Sequence, residues 1–392
     1  MSQKIKTRVL LAMPDLAGLG VQHVVLCLLK FWNKEDFDVK LLLHSRKGEF
    51  QNQFPDDFQS INIDDYILNI PKIRILSRFF GYKKAIENYK PNVVISFVPY
   101  SNYGCMFAKL FSKHKFGLIV SEHAHVTTAL NDFQEMNNIF MKFYRKTFQY
   151  FYNHIPDAIK CISSESMDDL VTNHKIIKNK VMLINDPIDF KFISSASLEP
   201  VEHPWFTHEE IKNRPILINV GRLAIQKNHE RLLKTFKLVI QTYPSLRLVI
   251  VGDGTLKKDL IEITEQLGLT DSVVFLGYQN NPWKYILHSR LFILSSNWEG
   301  LPCVISEAMS LKVPVVSVNC PSGPTEMLDN GRLGFLTNEQ SIAALTDQII
   351  TALTDKDLCN KKIDAAFQSI HKYEPEFITR IYENACIKYA IH

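Results

Sequence analysis

Glu299 and Glu307 are the residues best placed to do chemistry. They bracket Gly300-Leu301-Pro302-Cys303-Val304-Ile305-Ser306; the apolar run Leu291-Phe292-Ile293-Leu294 lies upstream, and Ala308, Met309 and Leu311 read as helix downstream. This spacing puts Glu299 on a strand-to-helix loop and Glu307 about two turns into the helix. Gly300 lets the backbone come close to a ligand, and Pro302 suits the first helical turn. The free N–H groups of that turn, near Gly300 and Leu301, favour an anion. Amides for a phosphate or sugar oxygen, with carboxylates for hydroxyls, suit a nucleotide sugar. Taken alone, the motif reads equally as one solvated Glu and one helix-surface Glu.

These groups need a frame to hold them. Ile216-Leu217-Ile218-Asn219-Val220 is a β-type run leading into Gly221-Arg222-Leu223 and Gln226-Lys227-Asn228. Leu232, Leu233, Phe236, Val239 and Ile240 then recur at helical spacing. Arg222 and Lys227 therefore fall at the carboxyl end of a strand, where open α/β sheets bind ligands. Two cations there would neutralise a leaving diphosphate, Arg as a planar fork and Lys as a compact charge. Leu248-Val249-Ile250-Val251-Gly252-Asp253-Gly254 is a further strand ending in a Gly-rich turn. Alternating strand-like and helical segments in both halves point to a doubly wound α/β architecture.

In this order and spacing, the sequence resembles a retaining glycosyltransferase of the GT-B fold, most similar to family 4. The resemblance rests on Gly221-Arg222-Leu223 through Lys227-Asn228, Val251-Gly252-Asp253-Gly254, Phe275-Leu276-Gly277-Tyr278 with Asn281-Pro282-Trp283, the Glu299-to-Glu307 run, and Cys320-Pro321-Ser322-Gly323-Pro324-Thr325-Glu326. The last of these resembles bacterial enzymes that build surface polysaccharides and lipid-linked glycans, often from UDP-sugars. In the first half, Gly18-Leu19-Gly20-Val21-Gln22-His23 follows a first strand, and Val120-Ser121-Glu122-His123-Ala124-His125 resembles the strand end that carries a histidine near the donor sugar. The Asn185-Asp186-Pro187 stretch reads mainly as packing and turn.

The resemblance implies two Rossmann-like domains facing a central cleft: an acceptor-binding domain over 1–195, a nucleotide-sugar domain over 196–374, and a helix over 375–392 crossing back. It implies that Arg222 and Lys227 stabilise the leaving diphosphate, with amides near Gly300 and Leu301 assisting. Glu299 would hold donor-sugar hydroxyls and Glu307 the ribose. His123 would contact the sugar, Gly20 and Gly252 would approach the donor, and the nucleobase would lie near Tyr278. The leaving phosphate would help deprotonate the acceptor, and domain closure would exclude water. No cofactor or essential metal is expected, since no Asp-x-Asp pair stands beside a nucleotide loop. Two other classes stay open: a GT-B-shaped UDP-sugar epimerase and a noncatalytic sugar-binding module.

Composition agrees with a large enzyme of two domains. The chain has 392 residues and 46% hydrophobic content. It has no apolar run of about 18 residues and so no expected membrane span, and its start lacks a signal-peptide core. Seven scattered cysteines without a Cys-x-x-Cys suggest reduced thiols and a cytoplasmic setting, peripheral on the inner face of the membrane if it is held there at all. A net charge of +4 is too small for a default nucleic-acid binder. Charge is uneven: residues 1–195 hold 25 Lys+Arg against 19 Asp+Glu, and the remainder 20 against 22. The stretch Lys72 to Lys84 mixes cations with aromatics and either lies on an anionic membrane or packs its apolar face on the sheet. Phe140 to Tyr152 is also aromatic and basic and reads as core packing.

Overall fold

A computed structural model describes residues 5–16, 20–44, 59–67, 74–132 and 139–392. The chain divides into two compact units, 1–187 with 375–392 and 188–374. It leaves the first unit at Pro187, ahead of the polar Ser194–Ser197 stretch, and returns at Pro375.

The first unit is a seven-stranded parallel sheet built from β1 (Thr7–Met13), β2 (Phe37–Leu43), β3 (Ser60–Asn62), β4 (Val93–Phe97), β5 (Gly117–Ser121), β6 (Ala158–Cys161) and β7 (Val181–Leu183). The order is β3-β2-β1-β4-β5-β6-β7, so the winding reverses between β1 and β4. Central strands are buried throughout because helices cover both faces, which is why they read as unbroken apolar runs. One face carries α1 (Gly20–Phe31) and the returning helix Pro375–Tyr389, which adds Ile378, Tyr382, Ala385 and Cys386 to the core around Val9, Leu11 and Ile95. That helix lies so close to β5 that a Cβ on Gly117 would stand 1.9 Å from the Tyr389 carbonyl oxygen. The other face carries α2 (Arg74–Tyr89), α3 (Pro99–Phe111), α4 (Val126–Asp132) and α5 (Ile139–His154).

The second unit is a six-stranded parallel sheet ordered β10-β9-β8-β11-β12-β13. Its strands are β8 (Ile216–Val220), β9 (Arg247–Val251), β10 (Val273–Gly277), β11 (Leu291–Leu294), β12 (Val315–Ser317) and β13 (Phe335–Leu336). Here the winding reverses between β8 and β11. The helix α6 (His229–Thr242) packs Leu232, Leu233, Phe236 and Val239 onto the sheet, each side chain contributing about 1.5–3 kcal/mol on burial. A second helix, α7 (Cys303–Ser310), follows β11.

Candidate active site

Because the second sheet reverses between β8 and β11, the loops leaving those two strands are neighbours at the carboxyl edge, where open sheets bind ligands. One loop carries Arg222 and Lys227 and the other carries Glu299. Lys227 Nζ donates to Glu299 Oε1 at 2.6 Å, and Ser296 Oγ donates to the same oxygen at 2.5 Å. Their side chains are 16% and 5% exposed. The cation and carboxylate that the sequence assigned to separate parts of a donor thus meet. Among the described residues, the Arg222 guanidinium makes no hydrogen bond or ion pair, and its residue is exposed.

A polar clasp holds the two loops together. Arg231, on α6, donates from Nη1 to the Ser295 carbonyl at 2.9 Å and from Nη2 to Asn297 Oδ1 at 2.9 Å. Asn228 Nδ2 donates to Asn297 Oδ1 at 2.8 Å, and Asn297 Nδ2 donates to the Ile225 carbonyl at 2.9 Å. Ser295 Oγ reaches the Lys227 carbonyl at 2.9 Å. Asn228 takes a left-handed backbone (φ 44°) and caps α6 by accepting from the Arg231 N–H. The sequence reading assigned no role to Arg231 or Asn297. Their signal was faint: an Arg in the first turn of an amphipathic helix and an Asn in a strand-end loop.

Glycines bring the strand ends close together. Gly252 has φ 140°, and a Cβ there would stand 2.0 Å from the Gly221 carbonyl oxygen; on Gly254 it would stand 2.3 Å from the Leu223 oxygen. Gly252 is thus demanded by backbone packing, whatever it does toward a donor. Gly323 has φ 98°, with Pro302 Cδ 2.5 Å from its would-be Cβ, and Ser322 Oγ donates to the Gly300 carbonyl at 2.8 Å. The Cys320–Glu326 motif therefore buttresses the loop of Gly300 and Leu301, both buried just ahead of α7.

Glu307 is the fifth residue of α7, just past one turn rather than two, because the helix starts at Cys303 and Pro302 caps it. Trp283 Nε1 donates to Glu307 Oε2 at 2.9 Å. Burial pushes the Glu307 carboxyl up to about 7, with the indole hydrogen bond pulling the other way. Tyr278 follows β10, the outer strand, with its ring part-exposed beyond the Gly277 turn (φ 69°).

In the first unit, His123 lies just beyond β5. Its Nδ1 is 3.3 Å from Asp186 Oδ2 and its Nε2 is 2.8 Å from Ser121 Oγ. Lys160 Nζ, fully buried, donates to Asp186 Oδ1 at 2.6 Å. Burial and the Lys160 charge hold His123 below its usual value, so the ring is neutral, and the tautomer that satisfies both neighbours donates from Nδ1 and accepts at Nε2. Asp186, read from sequence as a turn, is thus the residue that orients His123. His125 instead lies 3.6 Å from the buried Asp169. Gly20 opens α1 after β1, where a Cβ would meet nothing within 4 Å; Gly18 and Leu19 lie outside the described residues. Lys72 and Ile73 also lie outside them.

Two doubly wound parallel-sheet units in one chain are the architecture of the GT-B fold. The family model described as Glycosyl transferases group 1 matches residues 204–369, and the one described as Glycosyltransferase Family 4 matches 19–192. The chain belongs to these family 4-like, GT-B glycosyltransferases, enzymes that transfer sugars. It is 33% identical over 263 residues to an uncharacterized glycosyltransferase of Methanocaldococcus jannaschii, covering 65% of this chain and 62% of that protein, so it spans less than two thirds of that relative's length. It is 28% identical to the N-acetylgalactosamine-N,N'-diacetylbacillosaminyl-diphospho-undecaprenol 4-alpha-N-acetylgalactosaminyltransferase of Campylobacter jejuni, covering 88% of this chain and 89% of that one. Anabaena Alr3699/HepE, crystallised with UDP and glucose, shares the fold at 16% identity and a TM-score of 0.80, covering 97% and 100% of the two chains.

Proposed function

We propose that this chain transfers a hexose or N-acetylhexosamine from a UDP-linked donor to a lipid-linked glycan, with retention and without an essential metal. The observation that carries this reading is the Lys227–Glu299 pair, clasped at the reversal of the second sheet, with Arg222 exposed on the loop that carries Lys227. The C1–O bond to the diphosphate breaks, the acceptor oxygen bonds C1 on the same face, and the acceptor proton passes to the leaving phosphate. Arg222 and Lys227 stabilise that phosphate as its charge grows, a task a divalent ion could otherwise perform. Glu299 Oε2, which accepts no hydrogen bond among the described residues, takes a sugar hydroxyl. Glu307 keeps Oε1 for the ribose while Trp283 holds Oε2. The lipid-linked acceptor follows the activity of the Campylobacter relative, and the UDP donor the ligand of the Anabaena neighbour.

A panel of nucleotide sugars, with and without a polyprenyl-diphosphate-linked saccharide, tests the reading through nucleotide release and the NMR anomeric configuration of the product. Acceptor-dependent release of UDP with the donor's configuration kept is expected. An isomeric UDP-sugar formed without acceptor would point to epimerisation, and inversion would remove the retaining mechanism.

A further inference from the structure

The loop that carries Arg222 and Lys227 is held in two halves, by different means. Its first half rests on the turn after β9 through backbone hydrogen bonds. The Gly221 N–H donates to the Val251 carbonyl and the Leu223 N–H to the Asp253 carbonyl, both at 2.9 Å. Its second half, from Ile225 to Asn228, is tied instead to the loop after β11. There the Asn297 N–H donates to the Gln226 carbonyl at 2.7 Å, and Gln226 Nε2 donates to the Trp298 carbonyl at 3.2 Å.

Ser295 and Ser296, both fully buried, lie at the centre of this second hold. Arg231 Nη1 donates to both of their carbonyls, at 2.9 and 3.3 Å. Their hydroxyls reach the ion pair: Ser295 Oγ donates to the Lys227 carbonyl and Ser296 Oγ to Glu299 Oε1. One guanidinium thus braces the dipeptide whose two side chains touch the two members of the pair. Its Nη2 meets Asn297 Oδ1 at 2.9 Å and Gln340 Oε1 at 3.3 Å, and Gln340 Nε2 donates back to the Asn297 carbonyl at 3.3 Å. Among the described residues, the acceptors of Arg231 are therefore neutral oxygens and not carboxylates. A planar fork with donors on separate nitrogens spans these oxygens, which the single nitrogen of a lysine does not. Arg231 supplies geometry here, not charge pairing.

We propose that Arg231 is a positioning residue for sugar transfer: through Ser295 and Ser296 it sets Lys227 and Glu299 against each other, while Arg222, on the other half of the loop, is placed independently of it. The effect on rate rests on the roles proposed for Lys227 and Glu299; the two separate holds rest on the hydrogen bonds themselves.

The test is a pair of double-mutant cycles on kcat of the whole protein, with hydrogen–deuterium exchange of the same variants. Arg231→Met should lower kcat at least about tenfold with the donor KM changed much less, because a small displacement of reacting groups is costly. That loss should shrink to about threefold or less in the Lys227→Ala background, where the pair is already broken, and persist in full with Arg222→Ala. Exchange should quicken over 225–228 and 295–299 and stay at the parental rate over 221–223. Arg231→Lys, which keeps the charge but not the fork, should show the same pattern at smaller size, and it carries the test if the Met variant does not fold. A parental kcat in Arg231→Met, a loss that multiplies in full onto Lys227→Ala, or exchange that quickens equally over 221–223 would overturn the proposal. So would rates that only follow the unfolding temperature of the two Arg231 variants. A parent that transfers no sugar at all removes the catalytic reading and the positioning role with it, while the exchange pattern still decides whether the loop has two holds.

Discussion

Both units place a lysine against a carboxylate at the carboxyl edge of a parallel sheet, at the same N···O distance of 2.6 Å. The pairs differ in what surrounds them. Lys160 and Asp186 are 0% and 6% exposed, and His123 occupies the second carboxylate oxygen. Lys227 and Glu299 are 16% and 5% exposed, and Glu299 Oε2 accepts no hydrogen bond among the described residues. The first pair is sealed into the architecture, while the second keeps a part-exposed lysine, as the proposed exchange with a phosphate or a sugar hydroxyl requires. Distance alone does not separate a structural ion pair from a working one; access and remaining hydrogen-bonding capacity do.

The largest expected effect comes from opening the sealed pair. Lys160→Met would leave the buried Asp186 carboxylate without its cation and with His123 as its remaining side-chain partner among the described residues, a loss of about 3–5 kcal/mol of stability read by denaturant or thermal unfolding. Because the Lys160 charge helps depress His123, the same variant should raise the His123 titration seen by NMR. A Lys160→Met protein as stable as its parent would erase the contrast between the pairs.

The opposite pattern is expected at the open pair. Lys227→Ala or Arg222→Ala should lower turnover at least about tenfold, equivalent to more than ~1.4 kcal/mol, with the fold largely retained. Wild-type rates in both would remove these residues from the site.

Within the second unit the two carboxylates should divide their labour. Glu299→Gln should depress turnover even at saturating donor, since the proposed contact with a donor-sugar hydroxyl would orient the reacting carbon. Glu307→Gln should weaken UDP more than Glu299→Gln does, as measured by calorimetry. A reversed order of UDP affinities would end that division.

A smaller effect should follow pH. A ribose hydroxyl donates better to a carboxylate than to a carboxylic acid, so UDP affinity should rise as pH climbs through about 7, where Glu307 ionises. The stability effect has the opposite sign. A carboxyl raised above its unfolded value stabilises the fold fully below that value, and the contribution is lost as pH rises through about 7. Trp283→Phe removes the donor that opposes the rise and should move the midpoint upward; an unmoved midpoint would assign it to another group. The smallest expected effect is none: activity should survive excess EDTA. Loss restored by magnesium or manganese would replace the role given to Arg222 and Lys227.

Much of the fold was legible because strands buried on both faces, such as Leu248–Val251 and Leu291–Leu294, read as unbroken apolar runs. The placement of Glu299, Arg222 and Lys227 on strand-end loops was legible because each follows an apolar run of strand length. The clasp of Arg231, Asn228 and Asn297 was not, since it joins loops far apart in sequence through hydrogen bonds that leave no periodic trace. Phe140 to Tyr152 shows a different limit. Composition alone read it as core, yet Tyr144, Phe148 and Tyr152 turn inward at helical spacing while Phe143 and Tyr150 turn out. Asp186 was hidden because a carboxylate beside a proline looks like any turn.

The returning helix Pro375–Tyr389 has a consequence for how the protein is made. Its Ile378, Tyr382 and Cys386 fill the core of the first unit, and the Tyr382 ring lies 5.7 Å from the buried Lys160 nitrogen. A ribosome delivers that helix only after the whole second unit. The sheet begun first is therefore finished last, and until Cys386 emerges its apolar face is open to chaperones and proteases while the second unit is free to close.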